Sequence, residues 1–318
     1  MTVTARRETV VRAQLFVTCM VDLFRPRAGV AAVQVLERRG VEVEFPGGQS
    51  CCGQFAYNAG HHREAAAMGR QLVRAFEPSD AASPSADPPT VIALSGSCAA
   101  MIKHEMPDLL ERDALQRGRT PATAARWRRR AEALADRVVE LSEWLDRQAV
   151  PEPEGVGTRA ESGGPASSGG PGYAGASGSS TPLKVASHTG CHMRRLLGAT
   201  EAPLSVLRRA GVEPVELDDA EQCCGFGGSF GLLEPDISAA MADAKLANLA
   251  TARGDGVTCL VSADLGCLMQ LGGRLDRQGD AFPMLHLAEA VDLADRHRLT
   301  PADIERTARS QEADPDAR

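Results

Sequence analysis

Short apolar runs recur along this chain, separated by longer stretches in which apolar positions return every three or four residues. The first kind of pattern predicts buried strands and the second amphipathic helices. In the first half, strands are predicted at 13–18, 41–45 and 90–94. Helices are predicted at 26–39, opened by Pro26 and stopped by Gly40, at 61–76, and as one long amphipathic element over 122–148. The order then starts again, with strands at 183–187, 212–217 and 257–262 and helices at 203–210, at 235–253 and from Gly266 onward. Strands alternating with helices predict an α/β fold with parallel sheets.

The cysteines repeat with the same rhythm. Cys19 is separated from the pair Cys51-Cys52 by 31 intervening residues, and Cys191 from Cys223-Cys224 by the same 31. Each pair is followed by glycine, Gly53 or Gly225, and then by a late single cysteine, Cys98 or Cys267. A pattern that recurs once, at an offset of about 172 residues, describes two pseudo-symmetric domains; solenoid repeats are far shorter. The domains are placed at 1–150 and 183–318, the second with a C-terminal tail in which one short helix is expected after about Thr300. Between them, twenty of the 32 residues 151–182 are Gly, Pro or Ser, the composition of a flexible linker.

Composition narrows the function. The 318 residues are 43% hydrophobic and 24% charged, as in ordinary globular proteins, and the net charge of −7 argues against a nucleic-acid partner. No stretch has the run of about 18 apolar residues of a membrane span. The N-terminal sequence lacks the apolar block of an export signal. Nine cysteines, an odd count without such a signal, point to metal binding or catalysis in a reducing compartment, not to a disulfide framework.

All eight repeated cysteines fall where a strand ends and a helix begins, the place where open α/β sheets build their sites. Four thiolates from one domain hold either a tetrahedral zinc or an iron–sulfur cluster. Adjacent cysteines on a strand would point to opposite faces, so each pair addresses one site only on an irregular turn, which Gly53 and Gly225 permit. Two thiolates so close suit several irons better than one zinc. His188 and His192, flanking Cys191, are expected to sit beside the centre and tune it, as are the backbone N–H groups that follow Cys224.

The doubled motif resembles the CCG cysteine-rich domains of the superfamily that holds heterodisulfide reductase and the iron–sulfur component of glycolate oxidase. The segments that carry the resemblance are Cys51-Cys52-Gly53-Gln54, Ser95-Gly96-Ser97-Cys98, His188-Thr189-Gly190-Cys191-His192, Cys223-Cys224-Gly225-Phe226-Gly227-Gly228 and Asp264-Leu265-Gly266-Cys267. Within the superfamily the chain is most similar to the lactate utilization protein A family. The resemblance implies a cytoplasmic iron–sulfur protein, with one or two clusters of 4Fe-4S type, that passes electrons during oxidation of L-lactate to pyruvate. It also implies two partner proteins, one bearing further clusters. One departure stands out. Heterodisulfide reductase relatives close each repeat with C-x-x-C, whereas here Ser95 and Asp264 replace the first cysteine of that pair. The replacement leaves four thiolates per repeat and makes Asp264 a candidate oxygen ligand or neighbour.

Two other functions remain open at this point: a thiol–disulfide oxidoreductase of heterodisulfide reductase type, and a zinc-stabilised interaction module without redox chemistry. Cys259 lies inside an apolar strand, has no counterpart in the first half, and is read as packing. Arg194 and Arg195 are candidates for a carboxylate substrate but more plainly surface residues, and Trp144 and Leu145 are read as a face for docking a partner.

Overall fold

The computed structural model describes residues 11–78, 88–148 and 182–309. Apart from Pro182, the 151–182 linker lies outside the described residues. The first half runs β1 (Val11–Phe16), α1 (Cys19–Phe24), α2 (Pro26–Glu37), β2 (Val41–Glu44), α3 (Gln54–Asn58), α4 (His62–Ala75), β3 (Thr90–Ala93) and α5 (Gly96–Ala100). A π-helical turn, Met101–Glu105, leads from α5 into α6 (Met106–Gln116), followed by α7 (Pro121–Ala135), β4 (Val138–Glu140) and α8 (Leu141–Arg147). The second half opens with β5 (Lys184–His188) and a π-helical turn, Met193–Leu197, then α9 (Glu201–Arg209), β6 (Glu213–Glu216), α10 (Phe230–Leu233) and α11 (Pro235–Gly254). It closes with β7 (Leu260–Ser262), α12 (Leu265–Arg277), β8 (Met284–His286), α13 (Leu287–Asp295) and α14 (Pro301–Arg309). No helix among the described residues is long and apolar enough to cross a membrane.

The two sheets are the same sheet built twice. Their orders are β2-β1-β3-β4 and β6-β5-β7-β8, parallel throughout. The inner strands are buried without alternation because helices cover both faces; in β1 the last four residues are all buried, Gln14 among them. Pro214, which cannot donate to a ladder, is tolerated in β6 because that strand is an edge. The strand order reverses between β1 and β3, and between β5 and β7. Chain crossing away on either side of such a point leaves a crevice at the strand C-termini.

The single helix expected over 122–148 is in fact three elements. Thr120 caps α7 by accepting from the N–H of Thr123, and the helix then gives way to β4, whose three residues are all buried. Val138-Val139 continues the helical spacing of apolar residues, so periodicity alone cannot expose the break; pairing with β3 decides it. The counterpart strand β8 was equally invisible in the sequence.

The repeats meet face to face around a pseudo-two-fold axis. Helix α2 packs on α13, and the equivalent pair, α9 on α8, repeats the contact. Trp144 and Leu145, read from sequence as a docking face, are buried here, and the surface they cover is the other half of the same chain. Ion pairs rim both contacts: Arg38–Asp292 (2.5 Å) and Arg39–Asp295 (2.6 Å) on one side, Arg209–Asp146 (2.9 Å) on the other.

The last residues of β4 and β8 are equivalent and opposite in chemistry. Each is a fully buried N-cap with a capping box, Glu140 in one repeat and His286 in the other. His286 Nδ1 accepts from the Ala288 N–H, so Nε2 bears the proton and faces the carbonyls of Ala263 (3.0 Å) and Leu94 (3.3 Å), one in each repeat. Burial draws this imidazole down to about 4 and pushes the Glu140 carboxyl up to about 8. Their contributions to stability oppose one another. Neutral His286 makes stability rise as pH climbs from about 4 to 6.5, because only the unfolded imidazole is protonated there. Protonated Glu140 makes stability fall from 4.5 to about 8, because there only the folded carboxyl holds its proton. Above pH 6.5 Glu140 alone remains of the two. Glu140 therefore contributes a fall of roughly 2 kcal/mol between pH 6.5 and 8, to be read as the difference in pH slope between the wild type and Glu140→Gln in urea denaturation; equal slopes in the two would refute the assignment.

Candidate metal centre

Each strand that flanks the crevice delivers its cysteines in the same way. Cys19 begins α1 just after β1, and Cys98 lies in the first turn of α5 after β3. Cys191 and Cys267 occupy the matching places after β5 and β7. The vicinal pairs sit on turns closed by Gly53 and Gly225, both at φ +87°, a left-handed conformation that side chains resist. Space forbids a side chain as well: a Cβ on Gly225 would come within 2.5 Å of the Ser238 carbonyl.

The turn gives the two sulfurs of each pair different further partners. Cys51 Sγ lies 3.4 Å from Cys19 Sγ, while the fully buried Cys52 Sγ lies 3.3 Å from Cys98 Sγ. In the second repeat Cys224 Sγ is 2.9 Å from Cys267 Sγ, and Cys223 interacts with Cys191. All these are contacts between free thiols, well beyond a covalent S–S bond. The N–H of Gly53 points at Cys51 Sγ and that of Gly225 at Cys223 Sγ, each at 3.4 Å. Hydrogen bonds from the neighbouring thiols hold Cys51 down at about 3 and Cys223 at about 2. Their donors Cys19 and Cys191 are pushed up correspondingly, as are buried Cys52 and Cys224. The less buried sulfur of each pair is the one that the backbone donor meets.

The two quartets face each other: all eight thiols line one cavity of about 140 Å³ at the pseudo-two-fold axis. Phe55 and Phe226, one from each repeat, also line it and meet edge to face at 5.6 Å. The two residues that replace the missing cysteines touch there: Ser95 Oγ donates to Asp264 Oδ1 at 2.6 Å, and the Ser97 N–H donates to the same oxygen at 3.0 Å. Asp264 is therefore turned toward the other repeat. His192 Nδ1 lies 3.5 Å from Cys191 Sγ. His188 is buried behind Cys224 and Cys267, and Cys267 is drawn down to about 7, chiefly by Cys224 and further by this imidazole. Cys259 is buried in the core away from the cavity, and burial raises its thiol to about 12. Arg194 pairs with Glu216 and Arg195 with the Glu221 carbonyl; neither lines the cavity.

The profile of the CCG cysteine-rich domain matches this chain twice, at residues 13–103 and 185–272. Each matched segment holds one complete quartet. A lactate utilization protein A from Geobacillus sp. (strain WCH70) is 37% identical over 282 residues, covering 88% of this chain and 99% of the relative. Its namesake in Geobacillus thermodenitrificans is 38% identical, covering 88% and 98%, and that of Halalkalibacterium halodurans 35% identical, covering 90% and 99%. The chain belongs to the lactate utilization protein A family. In this CCG protein the two repeats are the two parallel sheets, and the resemblance seen in the motifs extends over nearly the whole length. The convergence of the quartets, the Ser95–Asp264 contact and the Glu140/His286 pair had no local signal in the sequence. Only the equal offsets of the two motifs hinted at a two-fold arrangement.

Proposed function

We propose that the chain is an iron–sulfur electron-transfer subunit of an L-lactate-oxidising system that converts lactate to pyruvate. The observation that carries this reading is the convergence of two all-thiol quartets on one cavity. Soft thiolate donors fit iron–sulfur clusters, and the paired sulfurs with their N–H donors fit a group of spread negative charge. Cys19, Cys51, Cys52 and Cys98 would hold one cluster, and Cys191, Cys223, Cys224 and Cys267 the other. A bound cluster supplies reversible one-electron transfer. The chain's own residues do the rest. Gly53 and Gly225 donate their N–H groups to Cys51 and Cys223, and burial of Cys52, Cys98, Cys224 and Cys267 keeps water from the inner face. The relatives' name supports lactate as the fuel. The sequence has no flavin or nicotinamide fingerprint, so hydride removal from lactate is assigned to partner subunits, one with further iron–sulfur clusters, in the cytoplasm.

Metal and sulfide analysis of anaerobically purified protein, with visible and EPR spectra, tests this reading. About eight irons and eight sulfides per chain, in a brown protein bleached by dithionite, are expected for two four-iron clusters. Zinc without sulfide would overturn electron transfer and leave a structural metal protein.

A further inference from the structure

The two quartets have different surroundings at the residue that ends the first strand of each sheet. Phe16 ends β1, and His188, at the same 172-residue offset that relates Cys19 to Cys191, ends β5. Both are buried. Phe16 spends its ring on an edge-to-face contact with Phe76 at 5.9 Å. His188 has no such apolar use. Its Nε2 is buried and has no hydrogen-bond partner, an arrangement that protein interiors avoid. A ring nitrogen of His188 and the sulfurs of Cys224 and Cys267 all lie within 4.8 Å of one another. His192 differs: it is half-buried, and its Nδ1 already meets Cys191 Sγ.

We propose that His188 is a metal ligand of the second repeat, binding beside Cys224 and Cys267, and that the two centres are therefore chemically unequal. The proposal rests on the reading that the quartets hold metal. A neutral imidazole is a ligand for iron and for zinc alike. Here a ring nitrogen already faces two sulfurs, and a neutral imidazole brings no negative charge where a thiolate brings one. In an iron–sulfur centre a neutral nitrogen donor that takes a thiolate's place raises the reduction potential. With His188 in place of one of the second repeat's outer thiols, the all-thiol first repeat is the lower-potential centre. Asp264, its Oδ1 committed to Ser95 and Ser97, stands outside this ligand set.

The test uses the full chain, purified anaerobically with its metal. X-ray absorption at the iron and zinc edges counts nitrogen in the metal's first shell, and pulsed EPR on ¹⁵N-histidine-labelled protein detects it without any substitution. Nitrogen is expected in the wild type and in His192→Ala, and is lost in both His188→Ala and His188→Phe. The phenylalanine variant restores the first repeat's own residue and guards against a folding defect. With iron bound, one of two midpoint potentials is expected to shift to more negative values in the His188 variants. A purely sulfur shell in metal-loaded wild type, or nitrogen that persists in both His188 variants, overturns the proposal. Zinc with nitrogen upholds the ligand and sinks electron transfer instead; a metal-free wild type sinks both.

Discussion

Replacing Cys52 by serine is expected to empty the first repeat of metal and to spare the second. Cys52 is 2% exposed and packs its sulfur against Cys98, inside a core built by α4 and α6. Serine keeps the volume but offers a hard, protonated oxygen where a soft thiolate is needed, so the ligand is lost and no cavity is created. Cys224→Ser is the mirror-image change in the second repeat. Metal and sulfide per chain are each expected to fall to about half in either variant and to near zero in the double variant. Cys259→Ser is the control, equally buried and remote from the cavity, and keeps its full metal content. The shared cavity makes the result informative in both directions. If one substitution removes all the metal, the eight thiols serve a single centre; if neither variant loses metal, the quartets are not ligands.

Arg25→Ala is expected to be the most destabilising single change at the contact between the repeats, at about 3–5 kcal/mol. Arg25 belongs to the first repeat but reaches into the second, where its Nε lies 3.0 Å from Glu289 Oε2 and its guanidinium donates to the Met284 carbonyl. Both side chains are buried, at 6% and 3% exposure. Burial already pushes the Glu289 carboxyl up, and Arg25 is the main force opposing that shift. Truncating the arginine leaves a buried carboxylate without the guanidinium that meets it at 3.0 Å. The Arg25→Met, Glu289→Gln double variant is expected to recover much of the loss, because it removes the charge with its partner. Arg38→Ala, at a partly exposed pair on the same contact, is expected to cost no more than about 1 kcal/mol. Urea denaturation of the metal-loaded chain separates the three, and an Arg25→Ala midpoint no lower than that of Arg38→Ala would refute the ranking.

Much of this protein was legible in the sequence because the signals are local. Apolar runs and amphipathic spacing gave both inner strand pairs, the helices between them and the parallel α/β class. Glycine after each cysteine pair announced the left-handed turns found at Gly53 and Gly225. Equal spacings announced the repeat, and the positions of the cysteines at strand ends announced where the site lies. None of these inferences needs knowledge of what touches what across the chain.

Other features depended on long-range pairing. β4 and β8, three residues each, are strands only because β3 and β7 offer them an edge, and their residues fit a helical pattern equally well. Trp144 looked like a docking face because its partner helix α9 lies more than fifty residues away in sequence. Ser95 and Asp264 read as two separate losses of a cysteine, yet across the axis they form one hydrogen bond. The sequence by itself determined that there are two thiol quartets and on which turns they ride, since propensity and spacing act within a few residues. The tertiary structure alone decided that the quartets share one cavity and that His188 stands beside only one of them, because those facts follow from how two packed sheets bring distant strand ends together.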